Sequence, residues 1–492
     1  MTQSSIDGFS TASQMLQALR QRRLSAVELL ALHQHRIERY NPHLNAIIMA
    51  CFEQACAAAE AADAARARGA DAPLLGLPIT LKESINVRGL KTTAGLPAFA
   101  QAQANFDAPA TQRMQKAGAV LMGKTNVPPM LADWQSDNDV FGRTHNPWDL
   151  TRTPGGSTGG GAAALAAGLT PLEVGSDIGG SIRVPAAFCG LYGHRPSDSA
   201  LPRSGQLPFP PVPNPLGIMG VQGPLARSAA DLALALEVLA GPEGGEEAAW
   251  RLTLPPPRHE HLSAYRVAVL PPIAWVPVDT EIMAAQEELV SRLGRAGAHV
   301  KMIQPELLGD VRAHHVLYVS LISAVTGARS PEAERRRLVE LSREHEDAFS
   351  EARRQGWLAS VGDYFTWYAQ REQYRAAYRT FFREWDVLLA PITLIPAFPH
   401  IKLAWPREAR DFEHTITVNG AAVAYDLQLV YPGIATLSGQ PATAFPVGLT
   451  RAGLPIGLQA IGSYLEDRTP IHFATLLERE FGGFRRPPGY DD

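Results

Sequence analysis

A chain of 492 residues, 46% hydrophobic and 19% charged, has the balance of a soluble globular protein with a large core. Its formal net charge of −4 and pI near 6.4 exclude a global electrostatic pull toward nucleic acid or an anionic membrane. No stretch approaches the roughly 20 apolar residues of a membrane span, and three cysteines (Cys51, Cys56 and Cys189) make no disulfide framework.

The chain opens without the basic-then-apolar profile of a secretory signal, so a reducing cytoplasm is the expected location. Thr11-x-x-Gln14 and Ser25-x-x-Glu28 are capping-box patterns, each ahead of an amphipathic run. Residues 1–70 are expected to be a helical segment packed on the core, closing in the Ala-rich run 57–67. From Pro73 onward short apolar strands alternate with helices. Segments 77–81, 120–122 and 172–174 read as strands and 111–117 as a helix. The expected fold is α/β, a mixed central sheet covered by helices on both faces, with 71–492 as one catalytic domain.

Strand 77–81 runs directly into Lys82. Only six of the 45 basic residues are lysines, leaving 39 arginines, a bias that codon composition explains. Each lysine kept in an apolar setting still attracts notice, because a buried Lys can lose its proton and Arg effectively cannot. A charged Lys82 at the end of Gly76-Leu-Pro-Ile-Thr-Leu81 must be neutralised or paired. At this point two readings stand level: a base, or a buried ion pair with Glu83.

Two glycine-rich segments follow, Pro154-Gly-Gly-Ser157-Thr-Gly-Gly-Gly161 and Ser176-Asp-Ile-Gly-Gly-Ser181-Ile-Arg183. Neither contains a phosphate-loop or dinucleotide fingerprint. An ordinary tight turn explains either one alone. It does not explain two, 24 residues apart, each holding a serine beside Gly-Gly. Glycine lets backbone N–H groups converge on one atom, so Ser181 is the better nucleophile, with the amides before it facing a developing oxyanion. Position 183 is Arg, so this is not the Gly-x-Ser-x-Gly elbow, and another base is needed. None of the 14 histidines offers one: His259-Glu-His261 and His314-His315 read as solvated surface. No Cys/His spacing suggests a metal.

The Pro-rich run 202–217, with Pro208, Pro210, Pro211, Pro213 and Pro215, is expected to be an ordered loop or rim. A second α/β stretch begins near Tyr265, and 280–385 reads as a long helical region. That region ends in Tyr364, Trp367, Tyr368, Tyr374, Tyr378, Phe381, Phe382 and Trp385 at spacings of mostly three and four, the pattern of a helix face on the core. Some of those rings are alternatively at a substrate mouth. Strand character returns at 387–390 and 442–461.

Taken together these segments resemble the amidase signature family, the Ser–cis-Ser–Lys amidohydrolases. The resemblance runs through Gly76–Thr93, Gly123–Trp148, Pro154–Pro196, Gly223–Arg227, Asp386–Pro391, Leu437–Gln440 and Gly453–Leu458, in order along the chain. It implies Lys82 as base, Ser157 as a bridging serine on a cis peptide, and Ser181 as the acylated nucleophile. It further implies oxyanion-hole amides at Ile178, Gly179, Gly180 and Ser181, and supporting roles for Thr158, Asp177 and Arg183. No cofactor or metal is implied. By position in the same pattern, substrate is expected at Leu131, Trp134, Gly155 and Gly156, although core packing explains Trp134 nearly as well.

The departures from the family pattern bear on substrate. Thr158 and Ser176 replace the usual Ser and Thr but keep a hydroxyl. Many members carry an acid after the proline of the segment that here reads Pro128-Pro129-Met130-Leu131-Ala132-Asp133-Trp134. By position Leu131 is expected to face the acyl pocket with Trp134 nearby, which suggests an apolar or aromatic substrate. Transamidosome subunits carry an acidic stretch where this chain reads Val430-Tyr-Pro-Gly-Ile-Ala435. The expectation is therefore hydrolysis of small hydrophobic or aryl amides, by a monomer or homodimer with no nucleic-acid or membrane partner. The alternatives are carbamate hydrolysis, a non-catalytic scaffold, and one component of a glutamine amidotransferase.

Overall fold

The apolar runs that flank the glycine-rich segments pair into one sheet. The computed structural model describes residues 6–208, 218–328, 330–343, 347–401 and 414–491. Its strands are β1 (Ile47–Ala50), β2 (Pro78–Lys82), β3 (Val120–Thr125), β4 (Asp137–Asn138), β5 (Gly142–Arg143), β6 (Leu172–Asp177), β7 (Tyr192–Arg195) and β8 (Val221–Ala226). These continue with β9 (Arg266–Val269), β10 (His299–Met302), β11 (Val387–Pro391), β12 (Thr415–Val418), β13 (Ala421–Ala424), β14 (Ala442–Leu449) and β15 (Pro455–Ile461). Eleven form one sheet in the order β1-β3-β2-β6-β8-β7-β14-β15-β11-β9-β10, and β4–β5 and β12–β13 form separate pairs.

The sheet is mixed, as expected. β2 runs parallel to β3 and β6, and β9 parallel to β10 and β11, whereas the strands between β6 and β11 pair antiparallel. Every residue of β2, β3, β6 and β8 is buried. Helices cover both faces of these strands, so their sequences run apolar without alternation. The helix Gly159–Ala166 packs on β2, β3 and β6, and its three leading glycines let it sit close.

Both N-terminal capping boxes form, opening the helices Ala12–Arg20 and Ala26–Leu44. The first seventy residues are not wholly helical, however. Asn45 turns the chain left-handed, and the Asn41 side chain accepts from Ala46 and Ile47 N–H, diverting Ile47–Ala50 into strand β1. Region 280–385 also departs from a continuous helical run. Gly297 at φ +86° ends the helix Thr280–Arg295, and β10 follows, completing a β9–helix–β10 unit. Helices Val311–Gly327, Glu332–Leu341, Ala348–Trp357 and Val361–Glu384 then complete the region. The aromatic stripe divides along the last of these. Tyr378, Phe381, Phe382 and Trp385 are core, whereas Tyr364, Trp367, Tyr368 and Tyr374 are half-buried. Of the Pro-rich loop, positions 209–217, including Pro210, Pro211, Pro213 and Pro215, lie outside the described residues. Among the described residues no helix is long and apolar enough to cross a membrane.

The N-terminal segment is tied to the sheet through buried charge. Arg227, at the end of β8, donates to the carbonyls of Phe9 (3.2 Å), Ser10 (2.8 Å), Leu165 (2.9 Å) and Thr170 (2.7 Å). Asp231 accepts from the N–H groups of Ala12 at 2.8 Å and Ser13 at 2.9 Å. Replacing Arg227 by Ala leaves four carbonyls without their donor, so Arg227→Ala is expected to lose about 3 kcal/mol of stability by denaturant titration. An unchanged midpoint would show that this strut is dispensable.

Candidate active site

Lys82 is the last residue of β2, and its ammonium is wholly buried where β2, β6 and the start of helix Gly159–Ala166 meet. Three hydroxyls surround it. Nζ donates to Ser157 Oγ at 2.6 Å, Ser176 Oγ at 3.0 Å and Thr158 Oγ1 at 3.1 Å. Burial pushes its pKa down to about 7, against the pull of Asp177, Glu173 and Glu83. Hydroxyls can bond a neutral amine as well as a charged one, so this cage does not demand the charge that a carboxylate partner would. The Glu83 ion pair is not formed. Glu83 instead accepts the N–H groups of Thr93 and of Ala94, the latter at 3.0 Å, and acts on Lys82 only through its field.

A second retained lysine, Lys124, is also buried, and burial lowers its pKa to about 8. Its register partner on β2 is Leu81, so it faces away from the Lys82 side of the sheet. There it donates to Lys91 O at 2.6 Å and Thr92 Oγ1 at 3.0 Å. Beneath Lys82, Glu173 of β6 is buried, accepts from the Thr80 and Thr125 hydroxyls, and is pushed up by burial to about 7.

Ser157 follows a cis peptide bond, Gly156–Ser157, in line with the sequence expectation. Gly156 is needed for close approach: a Cβ there would lie 2.2 Å from Asp133 O. Gly155 sits behind it, its N–H on Thr153 Oγ1 (3.0 Å) and its carbonyl accepting from Ser136 Oγ (3.2 Å). The two glycine-rich segments meet where Thr158 N–H donates to Ser181 O at 3.1 Å. Ser181 is buried, only 6% exposed.

Asp177 organises the loop that carries Ser181. Its carboxylate accepts from Gly180 N (3.0 Å), Ile182 N (3.1 Å), and Arg183 Nε (3.0 Å) and Nη2 (2.9 Å). Burial would raise its pKa, but the Arg183 and Arg195 guanidiniums and these donors hold it at about 2. Arg183 is anchored in turn on Gln459 Oε1 at 2.8 Å and Thr436 Oγ1 at 2.9 Å. The expected four-amide hole is thereby narrowed. The Gly180 N–H is spent on Asp177, whereas those of Ile178, Gly179 and Ser181 meet no acceptor among the described residues. Gly180 itself holds φ +92°, a conformation that side chains resist.

Of the expected substrate contacts, Trp134 is buried, donates from Nε1 to Gly179 O at 3.0 Å and packs at a tilt against Tyr425, ring centroids 5.3 Å apart. Leu131 is half-buried in the turn Pro129–Leu131 with φ 59°. Several residues beside the loop carried no signal in the sequence. Tyr318 of helix Val311–Gly327 donates to Ile178 O at 2.7 Å, Leu429 lies beside Gly179, and Pro432 beside Gly180. Together with Met219, Leu317 and Leu321 they make an apolar wall against Ile178. His314 and His315 are a correction. They are buried, not solvated, with edge-on rings at Tyr374 and Phe349, and burial lowers both to about 3. An acidic residue missed at 430–435 occurs slightly earlier: Asp426, next to Tyr425, pairs with Arg353. Among the described residues no group of three or more His, Cys, Asp or Glu side chains is placed to hold a metal ion.

Comparison with known proteins adds a family. The model of the family described as Amidase matches residues 28–470. One component of the glutamyl-tRNA(Gln) amidotransferase of Coxiella burnetii (strain Dugway 5J108-111) is 31% identical, over 97% of this chain and 99% of the relative. Among solved structures, a bacterial aryl acylamidase of the amidase signature family superposes with TM-score 0.80 at 25% identity, covering 96% of each chain. A 6-aminohexanoate cyclic dimer hydrolase complexed with substrate gives TM-score 0.78 at 27% identity, covering 99% of this chain and 100% of that one.

Because Asp177 faces two fully buried guanidiniums, Asp177→Asn is expected to destabilise the protein by about 3 kcal/mol, read as a lowered denaturation midpoint. A midpoint equal to wild type would contradict the place given to this carboxylate.

Proposed function

The chain belongs to the amidase family, and we propose that it hydrolyses acyl C–N bonds through an acyl-enzyme on Ser181, with Ser157 and Lys82 relaying the proton. One observation carries the reading: a lysine pushed to about 7 by burial lies 2.6 Å from the Ser157 hydroxyl. A neutral Lys82 takes the Ser157 proton as Ser157 takes that of Ser181, so the Ser181 oxygen attacks the carbonyl carbon as a nucleophile otherwise inert at neutral pH. The negative charge moves to the carbonyl oxygen, where the free amides of the 178–181 loop stabilise it. As the tetrahedral intermediate collapses, the C–N bond breaks and the relay returns the proton to nitrogen. Amides need that return more than esters do, because an amine anion is a very poor leaving group. Water then repeats the attack, releases the acid and restores Ser181.

The wall of Ile178, Tyr318, Leu429 and Met219 favours an apolar or aryl acyl group. A carbamate presents the same carbonyl with an oxygen on the acyl side and is open to the same attack. A second reading, an amidase for amino-acid amides such as glutamine, draws on the 31% identity to the amidotransferase component.

The test is a hydrolysis panel of aryl amides, aliphatic amides, glutamine, aryl carbamates and esters. Aryl amides are expected to turn over fastest, and Ser181→Ala to reduce turnover about a thousandfold or more. Lys82→Ala should damage amides more than activated esters. Glutamine as the best substrate, or copurification with a second protein chain, would favour the second reading. Equal activity of Ser181→Ala and wild type throughout would sink the mechanism.

The pH dependence follows from the sign of the Lys82 shift. Its neutral form is the base, so activity rises through pH about 7 and is lost below it as the amine protonates. An acid limb that survives unchanged in Lys82→Ala would remove Lys82 from the role.

A further inference from the structure

The amides of the 178–181 loop can serve an oxyanion only if each peptide plane is held. In a trans peptide the C=O and the following N–H point to opposite sides, so whatever grips a carbonyl aims the next N–H. All four carbonyls of the loop are gripped. Ser181 O accepts from Thr158 N at 3.1 Å, and Gly180 O from Val184 N at 2.7 Å. The other two are held by side chains distant in sequence: Gly179 O by Trp134 Nε1–H at 3.0 Å, and Ile178 O by the Tyr318 hydroxyl at 2.7 Å.

We propose that Tyr318 and Trp134 are positioning residues of the oxyanion loop, and that Tyr318 carries the larger share because it aims the N–H of Gly179. The reasoning rests on the acyl-enzyme reading above. The Gly179 N–H lies across its peptide plane from Tyr318 and meets no acceptor among the described residues, so it is free for substrate. Trp134 aims the next N–H, that of Gly180, but this donor already ends on Asp177 Oδ1 at 3.0 Å. Trp134 therefore reinforces a bond that Asp177 secures independently, whereas nothing else described holds the 178–179 plane from its carbonyl side.

Both side chains are themselves fixed. Tyr318 is fully buried in helix Val311–Gly327, and its ring lies so close to Gly433 that a Cβ there would approach to 2.8 Å. Trp134 packs at a tilt against Tyr425, whose hydroxyl donates to Asp133 Oδ1 at 2.7 Å. The long helical region thus reaches the loop through the Tyr318 hydroxyl as well as through the apolar contacts of Leu317 and Leu321. Its contribution is to orientation: the Tyr318 hydroxyl donates to the Ile178 carbonyl.

The experiment compares wild type, Tyr318→Phe and Trp134→Phe in the full chain. It uses steady-state kinetics on an aryl amide, labelling of Ser181 by phenylmethanesulfonyl fluoride, and amide hydrogen exchange over 178–181. Removing an oxyanion donor outright typically slows turnover 100- to 1,000-fold. Loosening one is expected to lower kcat about 10- to 50-fold in Tyr318→Phe, with KM within about twofold. Exchange at 178–181 should rise in the same variant. Trp134→Phe should lose less than about fivefold in kcat. Tyr318→Phe keeps the ring, and exchange outside 178–181 that matches wild type shows that the rest of the fold is intact. Wild-type kcat in Tyr318→Phe, a change in KM alone, or a larger kcat loss in Trp134→Phe would overturn the proposal. Failure of the reading beneath it shows elsewhere: wild type itself would not be labelled at Ser181, and the proposal would fall with it.

Discussion

The burial of one amine among three hydroxyls is the constraint from which the rest of this site follows. A lysine inside a protein must be neutralised or matched with a carboxylate. Here the immediate partners are Ser157, Thr158 and Ser176, and the carboxylates of Asp177, Glu173 and Glu83 act only at longer range. Burial wins over those three charges and leaves the amine near its neutral form at physiological pH. To keep it there, the fold brings together two adjacent strands, β2 and β6, and the glycine-rich start of a helix that a larger residue would hold off. Asp177 exerts the strongest of these three fields on Lys82, yet its own hydrogen bonds go to Arg183 and to backbone N–H groups and none to the amine.

The division of labour between arginine and lysine has the same origin. Arg36, Arg183, Arg195, Arg227 and Arg371 are all fully buried, and each ends on backbone carbonyls or carboxylates. A guanidinium stays charged and offers several donors in fixed directions, which suits a permanent strut. An amine can give up its proton, which suits a base. In a chain of 39 arginines and six lysines, Lys82 and Lys124 are, among the described residues, the buried lysines, and burial lowers their pKa values to about 7 and about 8. Only Lys82 faces a serine.

The fold class and the mixed sheet were legible because local patterns carry them, capping boxes and apolar strands, and glycine doublets marked Ser157 and Ser181 as candidates. Local sequence could not show that hydroxyls and not Glu83 meet Lys82. One of those hydroxyls, that of Ser176, lies on a neighbouring strand, 94 residues away. β1 was hidden inside a helical stretch because its cause is a side-chain turn at Asn41. His314-His315 looked solvated as adjacent polar residues, yet Trp275 and Phe349 cover His315. Gly180 looked like a hole donor until its N–H was found on a carboxylate three residues back. Tyr318, Leu429 and Pro432 were illegible for a simpler reason: apolar residues on helices look the same whether they fill a core or line a site.

The central claim is a protonation state, and it can be observed without any substrate. With six lysines in the chain, isotope-labelled lysine side chains can be titrated by NMR, and Lys82→Met assigns the one of interest. The account predicts a Lys82 midpoint near 7, while solvated lysines titrate near 10.4. A Lys82 resonance that stays charged through pH 9 would contradict it.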